Sequence, residues 1–197
     1  MPRPSNTDER RAQIVAGMRH VIAKVGYERA SVADIAKAAR LTAGLVHYHF
    51  KSKLEILEVL TSELVRERAA QLRDKLASAG AADRALDVFI DHYLRPGKDA
   101  DPEALACWIV LSAEALREPK IKRAVALSVH ETVAQVEDIL RAGIAAKVFK
   151  KSDTGAAAAA LVALIQGYYI VAATAEGATP RGTAAETAKK MMRGLLR

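Results

Sequence analysis

The fold of this chain is decided by residues 31–57, which read SVADIAKAARLTAGLVHYHFKSKLEIL. Ser31, followed three positions later by Asp34, is typical of a capped helix start. Thr42 is placed to cap a further helix that ends near Phe50. Two short helices joined by a tight turn are the ingredients of a helix-turn-helix. The stretch therefore predicts two packed helices, the second of which presents its first turn outward.

Outside this stretch the chain also reads as helices with short joints. Alanine and leucine are frequent and strand-favouring residues are sparse, which favours an all-α fold. Thr7 is expected to cap the first helix, Gly26 to end it in a left-handed turn, and Pro96-Gly97 to break the chain later. The sequence predicts about nine helices, the others near residues 52–76, 82–94, 102–116, 119–146, 154–175 and around Met191 to Leu196.

Positive charge is concentrated in the first quarter of the chain. The 197 residues carry a net charge of +7, and residues 1–53 hold ten Lys or Arg against four Asp or Glu. Such asymmetry indicates a module that meets a polyanion, joined to one that does not. A solvated basic surface is the alternative. We place the boundary at residue 53, with the helix-turn-helix at about 31–50 and a second domain over 54–197.

Cysteine content and hydropathy indicate the cellular compartment of the protein. Cys107 is the single cysteine and cannot form an intramolecular disulfide, which is consistent with a reducing cytosol. The start, Met1 to Asn6, lacks the apolar stretch of a signal peptide. The twenty residues from Ala156 to Ala175 carry no charge and are long enough to span a bilayer. Nearly half of them are alanine, so a buried helix in a soluble oligomer is favoured. We expect a cytoplasmic protein without a membrane partner.

Catalytic and metal-binding patterns are not apparent. The reactive groups Cys107, His92, His130 and Glu114 are not arranged in a motif that sets a nucleophile beside a base. Neither a phosphate-cradling glycine loop nor metal-ligand spacing occurs. Residues two apart on a helix, such as His47 and His49, point in different directions. The chain is therefore expected not to be an enzyme and to hold no metal or cofactor, with a small helical enzyme as a remote alternative.

Residues 31–57 closely resemble the DNA-binding domain of TetR-type repressors. The features that match are the capped helix at Ser31, the Thr-x-Gly tip at 42–44, the cluster Tyr48-His49-Phe50, Lys53 with Leu57, and the Gly26-Tyr27 joint. The resemblance implies an N-terminal three-helix helix-turn-helix domain plus a C-terminal helical ligand-binding and dimerisation domain. It also implies a homodimeric regulator, released by a small-molecule inducer from a palindromic double-stranded DNA operator. A constitutive architectural dimer without a ligand is the alternative.

Roles on DNA follow from this resemblance residue by residue. Thr42 and Tyr48 match positions that contact phosphates or base edges, Lys53 matches a phosphate-binding lysine, and Ala43 and Gly44 allow close approach. The predicted DNA contacts are Arg11, Ser31, Thr42, Ala43, Gly44, His47, Tyr48 and Lys53, with Arg3 and Arg10 as neighbouring candidates. Phe50 is assigned to the core.

This chain departs from the family pattern at two positions in the helix-turn-helix. His47 replaces a frequent tyrosine, which would make its contact pH-dependent. Arg40 replaces a frequent glycine of the turn. A positive φ at a non-glycine residue costs on the order of 1 kcal/mol, so we expect the turn to differ slightly in shape or Arg40 to gain a phosphate contact.

The resemblance extends, with weaker motifs, to the sensor half. The helix CWIVLSAEALREP, residues 107–119, resembles BetI-like members, which act in choline and betaine metabolism. Trp108, Tyr93 and Glu114 would form a cage for a quaternary ammonium, although a plain core tryptophan is the simpler interpretation. The candidate pocket residues are Phe89, Tyr93, Trp108, Leu111, Glu114, Val133 and Tyr169. The candidate dimer contacts are Leu161, Leu164, Ile165, Tyr168, Met191 and Leu195.

Overall fold

A computed structural model of the chain describes residues 6–95, 101–175, 177–180 and 182–196. Those residues form nine α-helices and no strand, which confirms the all-α prediction. The helices are α1 Asn6–Val25, α2 Val32–Ala38, α3 Ala43–His49, α4 Lys53–Ala77, α5 Ala82–Leu94, α6 Pro102–Glu114, α7 Pro119–Ala145, α8 Thr154–Thr174 and α9 Ala184–Leu196. Arg3 and the predicted Pro96-Gly97 break lie outside the described residues.

The helix boundaries follow from local capping chemistry. Ser31 Oγ accepts a hydrogen bond from Asp34 N at 3.1 Å, and Ser31 N donates to the Asp34 carboxylate at 3.2 Å, which completes the predicted capping box. Gly26, at φ 78°, ends α1 in the left-handed conformation as expected. The predicted cap at Thr7 is wrong, because Thr7 lies inside α1.

The described residues form two compact units. Unit 1 comprises residues 6–66 and 101–125, and unit 2 comprises 67–95 with 126–196 where described. The long helices α4 and α7 each contribute to both units. These units are divided differently from the predicted functional domains, since α6 and the first half of α4 pack with the N-terminal helices. The functional boundary at residue 53 stays a prediction.

Unit 1 is built around α1, which packs against α2, α3 and α6. Its fully buried side chains include Ile14, Met18, Ile35 and Leu57. Gly17 sits where α1 crosses α2, and a Cβ there would lie 2.7 Å from the carbonyl oxygen of Ile35. Glycine is therefore required at residue 17 for this close approach of two backbones.

Unit 2 packs α5 and α8 together with α9. Its core includes Phe89, Val136, Ala158, Leu161 and Ile165, each at most 2% exposed. An ion pair tethers α9 to α5, with Nζ of the buried Lys189 2.7 Å from Oδ2 of the partly exposed Asp91.

Candidate nucleic-acid interface and sensor residues

Helix α3 is held by its inner face and leaves its outer face open. Val46 and Phe50 are buried, at 1% and 2% exposed, so Phe50 belongs to the core as predicted. Thr42 caps the helix, with its Oγ1 accepting a hydrogen bond from Leu45 N at 3.3 Å. The exposed residues are Thr42, Ala43, Gly44, His47 and Tyr48, the last 81% exposed. Five of the predicted DNA contacts therefore share one short, solvent-facing element.

The tip of α3 allows a partner to approach closely. A Cβ added to Gly44 would meet nothing within 4 Å, so the fold of the protomer does not require glycine there. Ala43 beside it is also exposed. Small side chains at the first turn of a helix let its backbone lie deep in a DNA groove. The tip therefore leaves room for a partner, whereas Gly17 is required for internal packing.

The turn before α3 is strained and positively charged. Arg40 has φ 57°, the left-handed conformation that favours glycine. Its side chain is exposed, as are those of Lys37 in the last turn of α2 and Lys51 just after α3. Within the described part of the chain, none of these three side chains has a hydrogen-bond or ion-pair partner. Sequence reasoning passed over Lys37 and Lys51, although the local excess of basic residues was a signal for them.

Two of the predicted DNA contacts, Lys53 and Arg11, make contacts inside unit 1. The Lys53 ammonium donates to the carbonyl oxygens of Tyr27 at 2.9 Å and Ala30 at 3.0 Å, and lies 4.2 Å from the centroid of the Tyr27 ring. The Arg11 guanidinium donates to the carbonyl oxygen of His49. These two side chains thus position the joint before α2 and the end of α3.

Arg11 makes two further internal contacts. Its guanidinium stacks 4.0 Å from the centroid of the Phe50 ring and lies 3.5 Å from Glu55 Oε1. Ser31 is similarly occupied, because its hydroxyl and backbone N–H are both bonded to Asp34. Those bonds stabilise the charged form of Asp34 and lower the pKa of its carboxyl group. The positive charge of Lys37 lowers this pKa further. A carboxylate at this position repels a phosphate. The DNA contact of Ser31 stays a prediction.

Helix α6 packs against α1, which in turn packs against α2 and α3. Arg19 on α1 pairs with Asp101 at the start of α6, and His20 Nδ1 lies 2.7 Å from Glu103 Oε1. The buried Cys107 thiol donates to the Arg19 carbonyl at 3.5 Å, and burial raises the thiol pKa to about 12. The thiol is therefore a packing group rather than a nucleophile. Any displacement of α6 acts on α1, against which α2 and α3 pack.

The predicted pocket residues fall into two groups. Phe89, Tyr93, Val133 and Tyr169 belong to the core of unit 2. Trp108 and Leu111 belong to the core of unit 1, where Glu114 is also buried. The cage suggested for Trp108, Tyr93 and Glu114 remains a prediction.

The Arg68 guanidinium packs against aromatic rings of unit 2. The Arg68 guanidinium carbon lies 4.3 Å from the centroid of the Tyr93 ring and 5.2 Å from that of Tyr169. Arg68 donates to Tyr169 Oη at 2.6 Å, and that hydroxyl donates to the Tyr93 carbonyl at 3.0 Å. We call Arg68, Phe89, His92, Tyr93 and Tyr169, with Lys75 beside His92, the Arg68 cluster. Sequence reasoning missed Arg68 because its place depends on the packing of α4 on α5 and α8.

The predicted dimer contacts divide between the core and the surface. Leu161 and Ile165 are each 2% exposed and packed inside unit 2, which removes them from reach of a partner. Leu164 and Tyr168 are partly buried against the same core. Met191 and Leu195 on α9 are exposed, at 56% and 55%. Leu161 and Ile165 are thus used within the protomer, which corrects their assignment to the interface, whereas the dimer contacts of Leu164, Tyr168, Met191 and Leu195 stay predictions.

The opposite face of α8 is apolar and open. Ala156, Ala160, Ala163 and Gly167 are exposed, and Ile170 is 46% exposed. By length and composition α8 would be able to cross a membrane, with a mean hydropathy of 1.8 over an 18-residue window of which 28% is buried. The core helix of a soluble protein passes the same test.

Comparison with known sequences decides the family. Residues 14–60 match the family described as bacterial regulatory proteins of the tetR family. Residues 82–197, more than half of the chain, match the C-terminal domain described as a BetI-type transcriptional repressor. The chain belongs to the TetR family. It is a DNA-binding transcription regulator rather than an enzyme, as the sequence predicted.

Relatives and solved structures of TetR-type regulators agree along nearly the whole chain. An HTH-type transcriptional regulator BetI from Vibrio campbellii is 22% identical over 198 residues, covering 100% of this chain and 94% of the relative. A TetR-family regulator from Cytophaga hutchinsonii superposes with a TM-score of 0.86 at 18% identity, covering 99% and 98% of the two chains.

A transcriptional regulator from Saccharomonospora viridis, solved in complex with choline, superposes with a TM-score of 0.83 at 24% identity. The match covers 95% of each chain. At these identities the structural matches establish a shared fold.

Proposed function

We propose that this TetR-family protein is a homodimeric, cytoplasmic repressor that a small molecule releases from a palindromic operator. The observation that carries the proposal is the outer face of α3. Its exposed tip residues belong to a helix whose inner face is locked by Val46 and Phe50. A rigidly held helix with small residues and hydrogen-bonding groups at its exposed tip is suited to reading a major groove.

The cations flanking α3 supply the phosphate contacts in this proposal. Lys37, Arg40 and Lys51 are exposed and lie on either side of α3 in the chain. Phosphate contacts fix the register of a reading helix without reading sequence. Tyr48 and His47 then contact the backbone or base edges from the helix itself. Lys53 and Arg11 act by positioning, because their charged groups hold internal carbonyls.

A second copy of the chain is the proposed cover for α8. The exposed stripe of Ala156, Ala160, Ala163, Gly167 and Ile170 recurs at alternating intervals of four and three residues. That spacing keeps one face of a helix against a neighbouring helix. Small residues let two backbones approach closely, and the exposed Met191 and Leu195 of α9 add apolar area. A two-fold dimer presents two α3 helices to two operator half-sites.

Ligand control is supported by the family and by the packing of α6. A ligand shifts a protein only by binding one of its states more tightly than the other. Because α6 pairs with α1 through Arg19–Asp101 and His20–Glu103, a ligand that favours a displaced α6 also disfavours the DNA-bound arrangement of α2 and α3. The BetI-type description of residues 82–197 is consistent with such a repressor.

Binding to a labelled fragment of the DNA upstream of its own gene tests the proposal. We expect saturable, sequence-selective binding that weakens with salt. Tyr48→Ala should reduce affinity by roughly tenfold without altering the melting temperature, since its side chain is 81% exposed. Leu116→Ala is the matched control, because Leu116 is 87% exposed and lies outside α3. Equal, weak binding to unrelated DNA would overturn specific reading.

A metabolite screen on the same complex tests ligand control. Release of the fragment by one compound class, at constant salt, supports an inducer-controlled repressor. Binding that no metabolite changes would instead identify a constitutive architectural dimer.

A further inference from the structure

The Arg68 cluster gathers two further groups around its rings. The Phe89 and Tyr93 ring centroids are 4.8 Å apart, and the His92 ring meets Tyr93 edge-on at 4.9 Å. Lys75 Nζ lies 3.4 Å from His92 Nδ1. All of these side chains belong to unit 2. The C-terminal half of α4 thus places two cations beside the aromatic residues of α5 and α8.

The positive charges of Lys75 and Arg68 act on His92 in this cluster. The pKa of His92 is lowered to about 4, first by burial and then by the charges of Lys75 and Arg68. His92 is therefore neutral at pH 7 because a further positive charge is unfavourable there. Burial raises the pKa of the Tyr169 phenol to about 12, so its hydroxyl keeps its proton and donates to the Tyr93 carbonyl.

These features oppose a cationic ligand. A quaternary ammonium binds proteins through the faces of aromatic rings. Here the Arg68 guanidinium already lies over Tyr93 and close to Tyr169. An ammonium would have to displace a cation that is hydrogen-bonded to Tyr169 and would remain close to Lys75. Binding of an anion is favoured at the same place, because guanidinium groups bind carboxylates through paired N–H donors.

We propose that the Arg68 cluster is the effector site and that it binds a small organic carboxylate, with Arg68 receiving the carboxylate and Phe89 and Tyr93 contacting the ligand body. This inference rests on the proposed ligand-responsive function and names the chemical class of its effector. Lys75 supplies a second positive charge at the same site, and neutral His92 serves as a hydrogen-bonding neighbour.

Thermal unfolding of the full-length protein with three probe compounds tests the assignment. Benzoate is the anion, benzamide is its uncharged analogue of similar shape, and choline is the cation. Benzoate at about ten times its Kd should raise the Tm by roughly 3 °C or more, because a ligand that binds only the folded state stabilises it. Benzamide and choline should leave the Tm unchanged.

Variants on α4 assign any shift to Arg68. Arg68→Gln should abolish the benzoate shift, whereas Arg73→Gln, an exposed arginine on the same helix, should retain it. Arg68→Lys keeps the charge and should retain a reduced shift. If Arg68→Gln fails to fold, the Arg68→Lys variant and the comparison of benzoate with benzamide decide whether a carboxylate binds at Arg68. Stabilisation by choline but not benzoate, a benzoate shift that survives in Arg68→Gln, or no shift at millimolar benzoate would each overturn the assignment.

The DNA-release assay separates this inference from the proposed function. Release of operator DNA by choline, without a benzoate effect, would retain the ligand-controlled repressor and reject the carboxylate site. An Arg68-dependent benzoate shift without release by any compound would retain the site and reject ligand control of DNA binding.

Discussion

The outer faces of α3 and α8 are both left uncovered by the protomer, yet they differ in chemistry. On α3 the open face carries Thr42, His47 and Tyr48, with free cations on either side of the helix. On α8 it carries alanines, Gly167 and Ile170. A polar, basic face is suited to a polyanion, whereas an apolar face of small residues is suited to another helix. The composition of an uncovered face therefore indicates the class of its partner.

The inner faces of the two helices explain how each outer face is presented. Helix α3 is only seven residues long and is held by Val46, Phe50 and its cap at Thr42. Helix α8 is anchored by large side chains such as Leu161 and Ile165 in the core of unit 2. Large residues secure each helix to its own unit, and smaller ones remain outside. Substitutions on the two outer faces should therefore affect partner binding more than folding.

The largest effect is expected from Ala163→Arg, which breaks the α8 face. A long charged side chain at the centre of a close-packed, two-fold interface meets its own copy and is desolvated without a partner. We expect a monomer by analytical ultracentrifugation and a loss of operator affinity of roughly a hundredfold or more, because half-sites are then bound singly.

Ala134→Arg is the control for Ala163→Arg. Ala134 is exposed on α7, outside the α8 stripe, and its substitution should leave the dimer intact. An Ala163→Arg protein that remains dimeric would show that α8 is not the interface.

Two glycine substitutions compare the support of the α3 face with the face itself. Gly17→Ala places a methyl group 2.7 Å from the Ile35 carbonyl oxygen, so α1 and α2 must separate. We expect a loss of about 1–3 kcal/mol in the free energy of unfolding, measured by urea denaturation. Gly44→Ala meets nothing within 4 Å and should leave stability unchanged or slightly raised.

At temperatures where both variants are folded, Gly44→Ala should weaken operator binding more than Gly17→Ala does, which is the reverse of their order in stability. Gly44→Ala adds a methyl group at the tip that approaches DNA, and Gly17→Ala lies behind it. Equal destabilisation by the two substitutions would contradict the assigned roles.

The sequence predicted what is encoded locally. Ser31 with Asp34 indicated the capping box, Thr42 the start of α3, and Gly26 the end of α1, because each signal lies within one turn of the feature that it specifies. The exposed tip of α3 followed from the same local pattern. These are the parts of the fold and of the candidate DNA site that were predicted correctly in position.

Contacts that tertiary packing decides were not anticipated from the sequence. The phosphate contact of Lys53 stays a prediction, but its amine also donates to carbonyls 23 and 26 residues earlier in the chain. Leu161 and Ile165 were assigned to the dimer because they are bulky, but α8 is apolar on every side and its periodicity does not identify the inner face. Arg68 was missed for the same reason, since Tyr169 is 101 residues away.

The smallest predicted effect compares two strained residues, one in the turn before α3 and one just after α7. Arg40 and Lys147 are the described non-glycine residues with positive φ, at 57° and 60°, and both are exposed. Replacement of either by glycine should raise the free energy of unfolding by roughly 0.5–1 kcal/mol, because glycine adopts this conformation without a steric cost. Part of that gain is lost because glycine is more flexible in the unfolded chain.

Only Arg40→Gly should also weaken operator binding, by a few-fold, and reduce the salt dependence by about one phosphate contact. Lys147→Gly, at the end of α7 in unit 2, should bind DNA like the wild type. If both variants bind DNA equally well, Arg40 is strained without contributing to the interface, and the phosphate contacts near α3 fall to Lys37 and Lys51.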